Sequence, residues 1–442
     1  MTTAGAQSDL LLAWRATLAA KPGAVAVSEG LRSWTRAEIE AEANSVCASL
    51  PPLLDLPRRK VAMAELNGAR WLVVFLALLR RGAVPVLLDP ADSPAHLAES
   101  AEHLGVGYLW NQGTWSSIAS RRSTPARQGG LVKVTSGSSG RVRGFFFTDA
   151  QILADGRNVC EGMGIRPEDR NLAAIPFGHS YGLGNLVVPL LAQGTACVCA
   201  ESPLPACLSA ICRRHAPTVF PAVPILLKTL ARSLEPTAAF SSLRLVISAG
   251  APIRQEDACA FRKRFGLAVH VFYGSSETGG ISFDASGSLA ESGEGVGTPL
   301  PRVHVCQKTG GRIEIRSEAV VGRGIHRPAD TVRIRPDGTL VLTGRVGRMV
   351  KLGGRRLDLS GLETEIQRLP GVRGVIVEPH PQREDSLAAL IATDLPQADM
   401  RALLRASLSS WKIPARLRVV PEFPLTGRGK VDRAQAGRLL SE

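Results

Sequence analysis

The sequence has no uninterrupted apolar run long enough to span a bilayer as a helix, which takes about 20 residues. Its longest candidate, Trp71 to Leu79, stops at Arg80 and Arg81, so no membrane span is expected. The first ten residues lack a basic segment leading into an apolar core and a small-residue cleavage site, and the expected location is therefore the cytoplasm. Aromatic residues are scarce, at 5% of the chain. No basic run is interleaved with stacking rings, the pattern that single-stranded nucleic acids call for. The net charge of +14 is dispersed instead, which suits an acidic small molecule or an acidic protein better than nucleic acid. Zinc spacing is missing too. Cys197, Cys199, Cys207, Cys212 and His215 come nearest, but match none of the common patterns, and the eight cysteines read as reduced core residues.

What is present is a long globular chain. At 442 residues it exceeds one compact core, so two or three domains are expected. Thr35 with Glu38 forms a helix-start signal. Val61 to Glu65 reads as a strand, and Asn67 is placed to cap a helix running through Leu79, which Gly82 ends. Ala83 to Leu88 resumes as strand, Ser93 to Leu104 as helix, and Val106 to Trp110 as extended chain. That rhythm means parallel βαβ units. Ser116 to Gly130 is a polar connector. After it come a strand over Phe145 to Thr148, a helix over Asp149 to Met163, and a strand that breaks into a glycine-spaced loop bearing His179. Strands at Thr218 to Val223, Leu243 to Gly250 and Ala268 to Tyr273 follow. Two of them end in glycine-containing loops, the pattern of a ligand crevice at the carboxyl edge of a sheet.

From Gly295 the texture turns to short β segments. Gly344 to Arg348 is a flexible basic joint, and an α+β unit follows. The expected class is α/β: a large domain over 1–346 of parallel βαβ layers plus a β-rich subdomain, and a small, mobile α+β domain over 347–442. The hinge is expected near 345–348.

One stretch has the composition of an anion cradle. After the short strand at Leu131 come Thr135-Ser-Gly-Ser-Ser-Gly-Arg-Val-Arg-Gly144. Gly137, Gly140 and Gly144 let main-chain N–H groups approach a ligand closely, while Thr135, Ser136, Ser138 and Ser139 supply hydroxyls. Arg141 and Arg143 add permanent positive charge, and successive N–H groups in such a turn form an anion-binding concavity. It is not the Walker pattern. Taken alone, an ordinary exposed Gly/Ser turn fits the stretch equally well.

Its company decides the matter. The stretch resembles the T-S-G-T-T-G-x-P-K-G motif of the adenylate-forming enzymes, the superfamily of acyl-CoA synthetases, adenylation domains and luciferases. Pro176-Phe-Gly-His179 is similar to that family's P-x-x-H, and Tyr273-Gly-Ser-Ser-Glu277 to its Y-G-x-T-E. Asp330 followed by Gly344-Arg345 is similar to its aspartate and later G-R pair. The C-terminal T-x-x-G-K-x-x-R finds its counterpart in Thr426 to Arg433. Five motifs in order, from about Val25 to Arg433, make the resemblance specific.

The resemblance implies a two-step reaction: ATP activates a carboxylic acid as an acyl-adenylate, and a thiol of coenzyme A or of an acyl carrier protein then takes the acyl group. It also implies the site. Thr135, Ser136, Gly137, Ser138, Ser139, Gly140 and Arg143 would hold the ATP phosphates, with Mg²⁺ on Glu277. Tyr273 would stack on adenine, lined by Gly274, Ser276, Gly250 and Ala251, and Asp330 would take the ribose hydroxyls. Arg345 would reach the nucleotide, and Lys430 would bridge the acid and the α-phosphate. His179 would stand at the rim of an acid pocket formed by Phe177, Ser180, Tyr181, Gly182, Gly184, Ser248 and Ala249. These small or flat residues favour an aryl or unbranched acyl acid. Arg143 stands where the family's motif has lysine, which motivates the alternative of a binding or regulatory protein that keeps the fold without the catalysis.

Overall fold

The computed structural model describes residues 8–50, 59–118, 129–136, 142–345, 348–352, 355–383, 386–409, 412–425 and 431–441. They form two compact units. The first takes the chain up to Val305 with Ile315–His326 and Pro336–Leu340. The second takes Cys306–Glu314, Arg327–Arg335 and the chain from Val341 onward.

Helix Ala69–Arg80 shows how the first unit is built. All of its residues except Arg70 and Arg80 are buried, and a helix that is apolar all round needs protein on every side. Two sheets supply it. One is a nine-stranded sheet whose centre runs in parallel through Val25–Glu29, Ala196–Cys199, Arg170–Ala173, Val219–Ala222, Leu245–Ser248 and Val269–Ser275. The other has six strands, with Tyr108–Asn111, Lys60–Ala64, Val84–Leu87 and Leu131–Ser136 in parallel. Antiparallel strands close the edges of both. One apolar core joins Val27, Ala173 and Cys197 of the first sheet to Met63, Leu87 and Phe147 of the second, through Trp14, Phe75, Ile152 and Leu190 of the helices between them. Helices Pro205–His215, Pro224–Arg232 and Gln255–Phe265 cover the far face of the larger sheet. Helix Pro94–His103 covers the far face of the smaller one.

The second unit pairs Asp330–Ile334 with Leu340–Arg345. It also holds a hairpin of Met349–Leu352 and Arg355–Asp358 and a three-stranded sheet of Gly374–Pro379, Leu387–Ala392 and Arg416–Val420. Helices Leu359–Gln367 and Gln397–Ser407 pack on that sheet through Leu362, Ile366, Met400 and Leu404. The α/β class expected from the sequence is the class observed. No helix among the described residues is long and apolar enough to cross a membrane.

Several local expectations hold closely. Thr35 and Glu38 form a reciprocal capping box at the start of Arg36–Ser49. Helix Asp149–Met163 has the expected bounds, with Thr148 and Gln151 as its capping box and the left-handed Gly164 as its end. Two others do not hold. Asn67 does not cap the next helix, whose N-cap is Gly68. Its Nδ2 donates to the carbonyls of Ala173 and Ile175, at 3.3 and 2.8 Å, and its Oδ1 accepts the Phe177 N–H at 2.7 Å. It thus ties the end of a strand in one sheet to the end of a strand in the other. The glycine-spaced segment after His179 is helical rather than a loop, running through Ser180–Gly182 and a π-turn at Leu183–Val187 into Val188–Gln193. Gly182 is needed there for proximity: a Cβ on it would lie 2.0 Å from the Pro176 carbonyl oxygen.

Asn67→Ala removes three partly buried hydrogen bonds together. The expected cost is about 1–3 kcal/mol, read as a lower denaturation midpoint, with faster amide exchange confined to the 173–179 segment.

Candidate functional site

Parallel strands place their carboxyl ends along one edge of each sheet, where α/β folds bind ligands. In the smaller sheet, Leu131–Ser136 pairs antiparallel with Val142–Phe147 in a register that sets Thr135 opposite Arg143 and Ser136 opposite Val142. The segment is therefore a closed hairpin, with a half-buried Thr135 and an exposed Arg143 at its mouth. Gly137, Ser138, Ser139, Gly140 and Arg141, between them, lie outside the described residues, as does the Ser136 side chain.

The histidine loop meets this sheet directly. His179 Nε2 lies 2.9 Å from Oδ2 of Asp89, which follows strand Val84–Leu87; the aspartate side chain is 4% exposed and the histidine 31%. A carboxylate only accepts hydrogen bonds, so the contact places a proton on Nε2. The backbone N–H of Ala91 satisfies the other Asp89 oxygen at 3.0 Å. Phe177 is turned inward, 1% exposed and edge-on to Trp71 with centroids 5.4 Å apart. Ser180 is half-buried, at the first position of the helix.

Deeper in, Tyr181 donates from its hydroxyl to the Ile247 carbonyl at 3.3 Å, and its ring lies 5.7 Å from that of Phe272. Burial pushes its phenol well above the ordinary range. Gly184 is buried against Asp155, so its side of the helix has no room for a side chain. Ser248, at the end of its strand, is 2% exposed, and its Oγ has no hydrogen-bond partner among the described residues. Ala249 is buried beside it, donating its N–H to the Ala222 carbonyl at 3.2 Å. Gly250, at φ +86°, then turns the exposed chain outward into Ala251.

The acidic loop is the tip of a tight hairpin. Val269–Ser275 pairs with Gly279–Phe283 through Tyr273–Ser282 and Ser275–Gly279, with a bulge after Tyr273. Gly274 is required by closeness, since a Cβ there would sit 2.5 Å from the Gly279 carbonyl oxygen. The buried Thr278 Oγ1 accepts the Ser275 N–H at 3.2 Å and fixes the turn. Ser276 and Glu277 are thereby carried half-buried at the tip, and the Glu277 carbonyl accepts the Val321 N–H at 2.9 Å.

The first unit thus brings the Thr135 hairpin, the His179 loop, the Ser248 strand end and the Glu277 turn to the carboxyl ends of its strands. Asp330 belongs to the second unit, half-buried at the start of Asp330–Ile334. Arg345 ends Leu340–Arg345 there; its side chain and the whole of Lys430 lie outside the described residues. Sequence reasoning missed Asn67 and Asp89. Each stands two or three residues past the end of a parallel strand, and that position at the carboxyl end was the available signal.

A family model described as AMP-binding enzyme matches residues 14–134 and 130–314. Over 94% of the chain and 96% of the relative, the sequence is 27% identical to feruloyl-CoA synthase of Amycolatopsis sp. It is 24% identical to the salicyl-AMP ligase / salicyl-S-ArCP synthetase of Mycobacterium tuberculosis, over 91% of the chain and 85% of the relative. It also matches within a nonribosomal peptide synthetase, of which it spans 6%. Among solved structures, ATP-bound MatB from Rhodopseudomonas palustris superposes with a TM-score of 0.80 at 20% identity, covering 95% of this chain and 96% of that one, and so shares the fold. With most of the first unit matched by the family model, the chain belongs to the AMP-binding enzyme family.

Proposed function

We propose that this enzyme joins a carboxylic acid to a thiol in two steps, at the expense of ATP. In the first, a carboxylate oxygen attacks the α-phosphorus and pyrophosphate leaves, giving an acyl-adenylate. In the second, a thiolate attacks the acyl carbon and AMP leaves. The observation that carries this reading is the placement of the Thr135–Arg143 hairpin and the Glu277 turn at the carboxyl ends of the parallel strands of one unit. A cationic, hydroxyl-bearing hairpin and a carboxylate turn are what a metal-bound triphosphate calls for.

The barrier to the first step is largely repulsion between two anions. Arg143 and Lys430 are the cations assigned to lower it, and the loop 135–144 would grip the β- and γ-phosphates so that the α-phosphate faces the acid. Lys430 would lie between the acid and the α-phosphate. Glu277 and the Thr135 hydroxyl are hard oxygen donors, the type that Mg²⁺ prefers. When bound, Mg²⁺ would neutralise phosphate charge. Tyr273 would stack on adenine, beside Gly274, Ser276, Gly250 and Ala251. Asp330 would accept both ribose hydroxyls, and Arg345 would reach the nucleotide.

For the acid, an aryl carboxylate is favoured. The packed Tyr181–Phe272 rings and the Ser248 hydroxyl, without a partner among the described residues, suit a flat ring with one polar substituent. The names of the two relatives, one a feruloyl-CoA synthase and the other a salicyl-AMP ligase, point the same way. They also name both acceptor types, coenzyme A and a carrier protein. The joint near 345–348 would let the C-terminal part turn between the two steps, a recognised class of motion. On its far side Arg348 is anchored to Glu363, to the Val377 carbonyl and, at 3.1 Å, to Glu378. A reaction fed by ATP and coenzyme A fits the cytoplasm.

Labelled pyrophosphate is expected to exchange into ATP only when a suitable aryl or acyl acid is added. A broad acid panel that produced no exchange would overturn the reading. Lys430→Ala is expected to lower that exchange by about a hundredfold or more, while thioester formation from supplied acyl-adenylate stays near wild type. Equal loss of both steps would contradict the role given to Lys430.

A further inference from the structure

A lysine lies in the core beneath the proposed phosphate hairpin. Lys133 is on strand Leu131–Ser136, two residues before Thr135, and is 2% exposed. Its Nζ sits over the Phe147 ring, 4.4 Å from the centroid, and 3.8 Å from Oδ2 of Asp155, itself 3% exposed on helix Asp149–Met163. Desolvation lowers the lysine's pKa, and the facing carboxylate works against that. The other Asp155 oxygen accepts the N–H of Gly280 at 2.9 Å. Gly280 stands three residues after Glu277, in the strand that closes the acidic turn.

The packing leaves this carboxylate no freedom. A Cβ on Gly279 would fall 2.2 Å from Asp155 Oδ1, and a Cβ on Gly184 would fall 2.9 Å from Oδ2. Gly279 also has φ +69°, a conformation that glycine adopts without strain. The route Lys133, Asp155, Gly280 therefore runs from the smaller sheet, through the buried helix, into the larger one. It joins the two strands that carry the phosphate hairpin and the Glu277 turn.

Energetics make such a pair conspicuous. Burying two charges costs several kcal/mol per ion before their attraction is counted, and well-packed apolar residues often do as well or better. Breaking one side strands a buried charge, so the pair acts as a unit. We propose that Lys133 and Asp155 are positioning residues that hold the Glu277 turn in register with the Thr135–Arg143 hairpin, so that both grip one metal-bound nucleotide. The proposal rests on the nucleotide reading above and adds the element that sets the spacing of its two halves.

The test uses the full chain and three variants: Lys133→Met, Asp155→Asn and the double substitution. Lys133→Met alone leaves Asp155 charged and unpaired, and is expected to be the least stable. The double variant removes both charges, keeps an oxygen acceptor for Gly280, and is expected to regain wild-type thermal stability. Its kcat/KM for ATP in pyrophosphate exchange is nevertheless expected to stay about tenfold to a hundredfold down. The loss should lie mainly in KM for ATP, with KM for the acid unchanged. Amide exchange over 273–283 should remain faster than wild type. A double variant that regains stability, KM for ATP and wild-type amide exchange together would overturn the proposal and reduce the pair to a core contact. Should the wild-type protein show no exchange with any acid, the functional reading falls, and the amide exchange of the double variant still decides whether the two strands are coupled.

Discussion

The first unit depends on one constraint: two parallel sheets share a single buried layer of helices. Helix Ala69–Arg80 could not exist in water with its all-round apolar surface, and neither sheet could leave the matching face bare. The arrangement brings the carboxyl ends of strands from both sheets into polar contact. Asn67 reaches from one sheet to the carbonyls of Ala173 and Ile175 in the other, and Asp89 reaches His179. Lys133 reaches Gly280 through Asp155. The hydrogen bonds among them join residues that the chain separates by 90 positions or more. Apolar packing sets the distance between the sheets, and these polar links join them at the carboxyl ends of their strands.

That division of labour suits the proposed chemistry. Two anions must be brought into contact, and preorganised charges on a rigid frame do this without reorganisation at the moment of reaction. The turn that carries Glu277 is fixed by Thr278 from within and by Val321 and Asp155 from outside. The backbone that bears its carboxylate is thus held on both sides. The same economy is visible at Gly182, Gly274 and Gly279, where closeness between segments excludes any side chain.

Much of this was legible in the sequence, for a physical reason. Helix Asp149–Met163 announces itself through a local capping box and a terminal glycine. The family's motifs are local too, so their order identified the fold class and the reaction. What escaped was non-local. Asn67 sits where a helix cap belongs, and only the fold reveals that its three bonds go to residues 106 to 110 positions away. The packing of Phe177 edge-on against Trp71 likewise appears only in the fold. Gly182 and Gly184 argue for a loop by propensity, yet tertiary packing makes them helical. Lys133, in a strand that reads as apolar, carries no local sign of its partner, and only the fold sets Asp155 beside it.

The central claim is that an oxygen of the acid itself attacks the α-phosphorus of ATP. It is tested most directly with an activated acid whose carboxylate carries ¹⁸O, turned over with ATP and a thiol, the products being weighed by mass spectrometry. The account predicts one ¹⁸O atom in AMP and none in pyrophosphate. Label in inorganic phosphate, with ADP as the nucleotide product, would place the attack on the γ-phosphorus and contradict it.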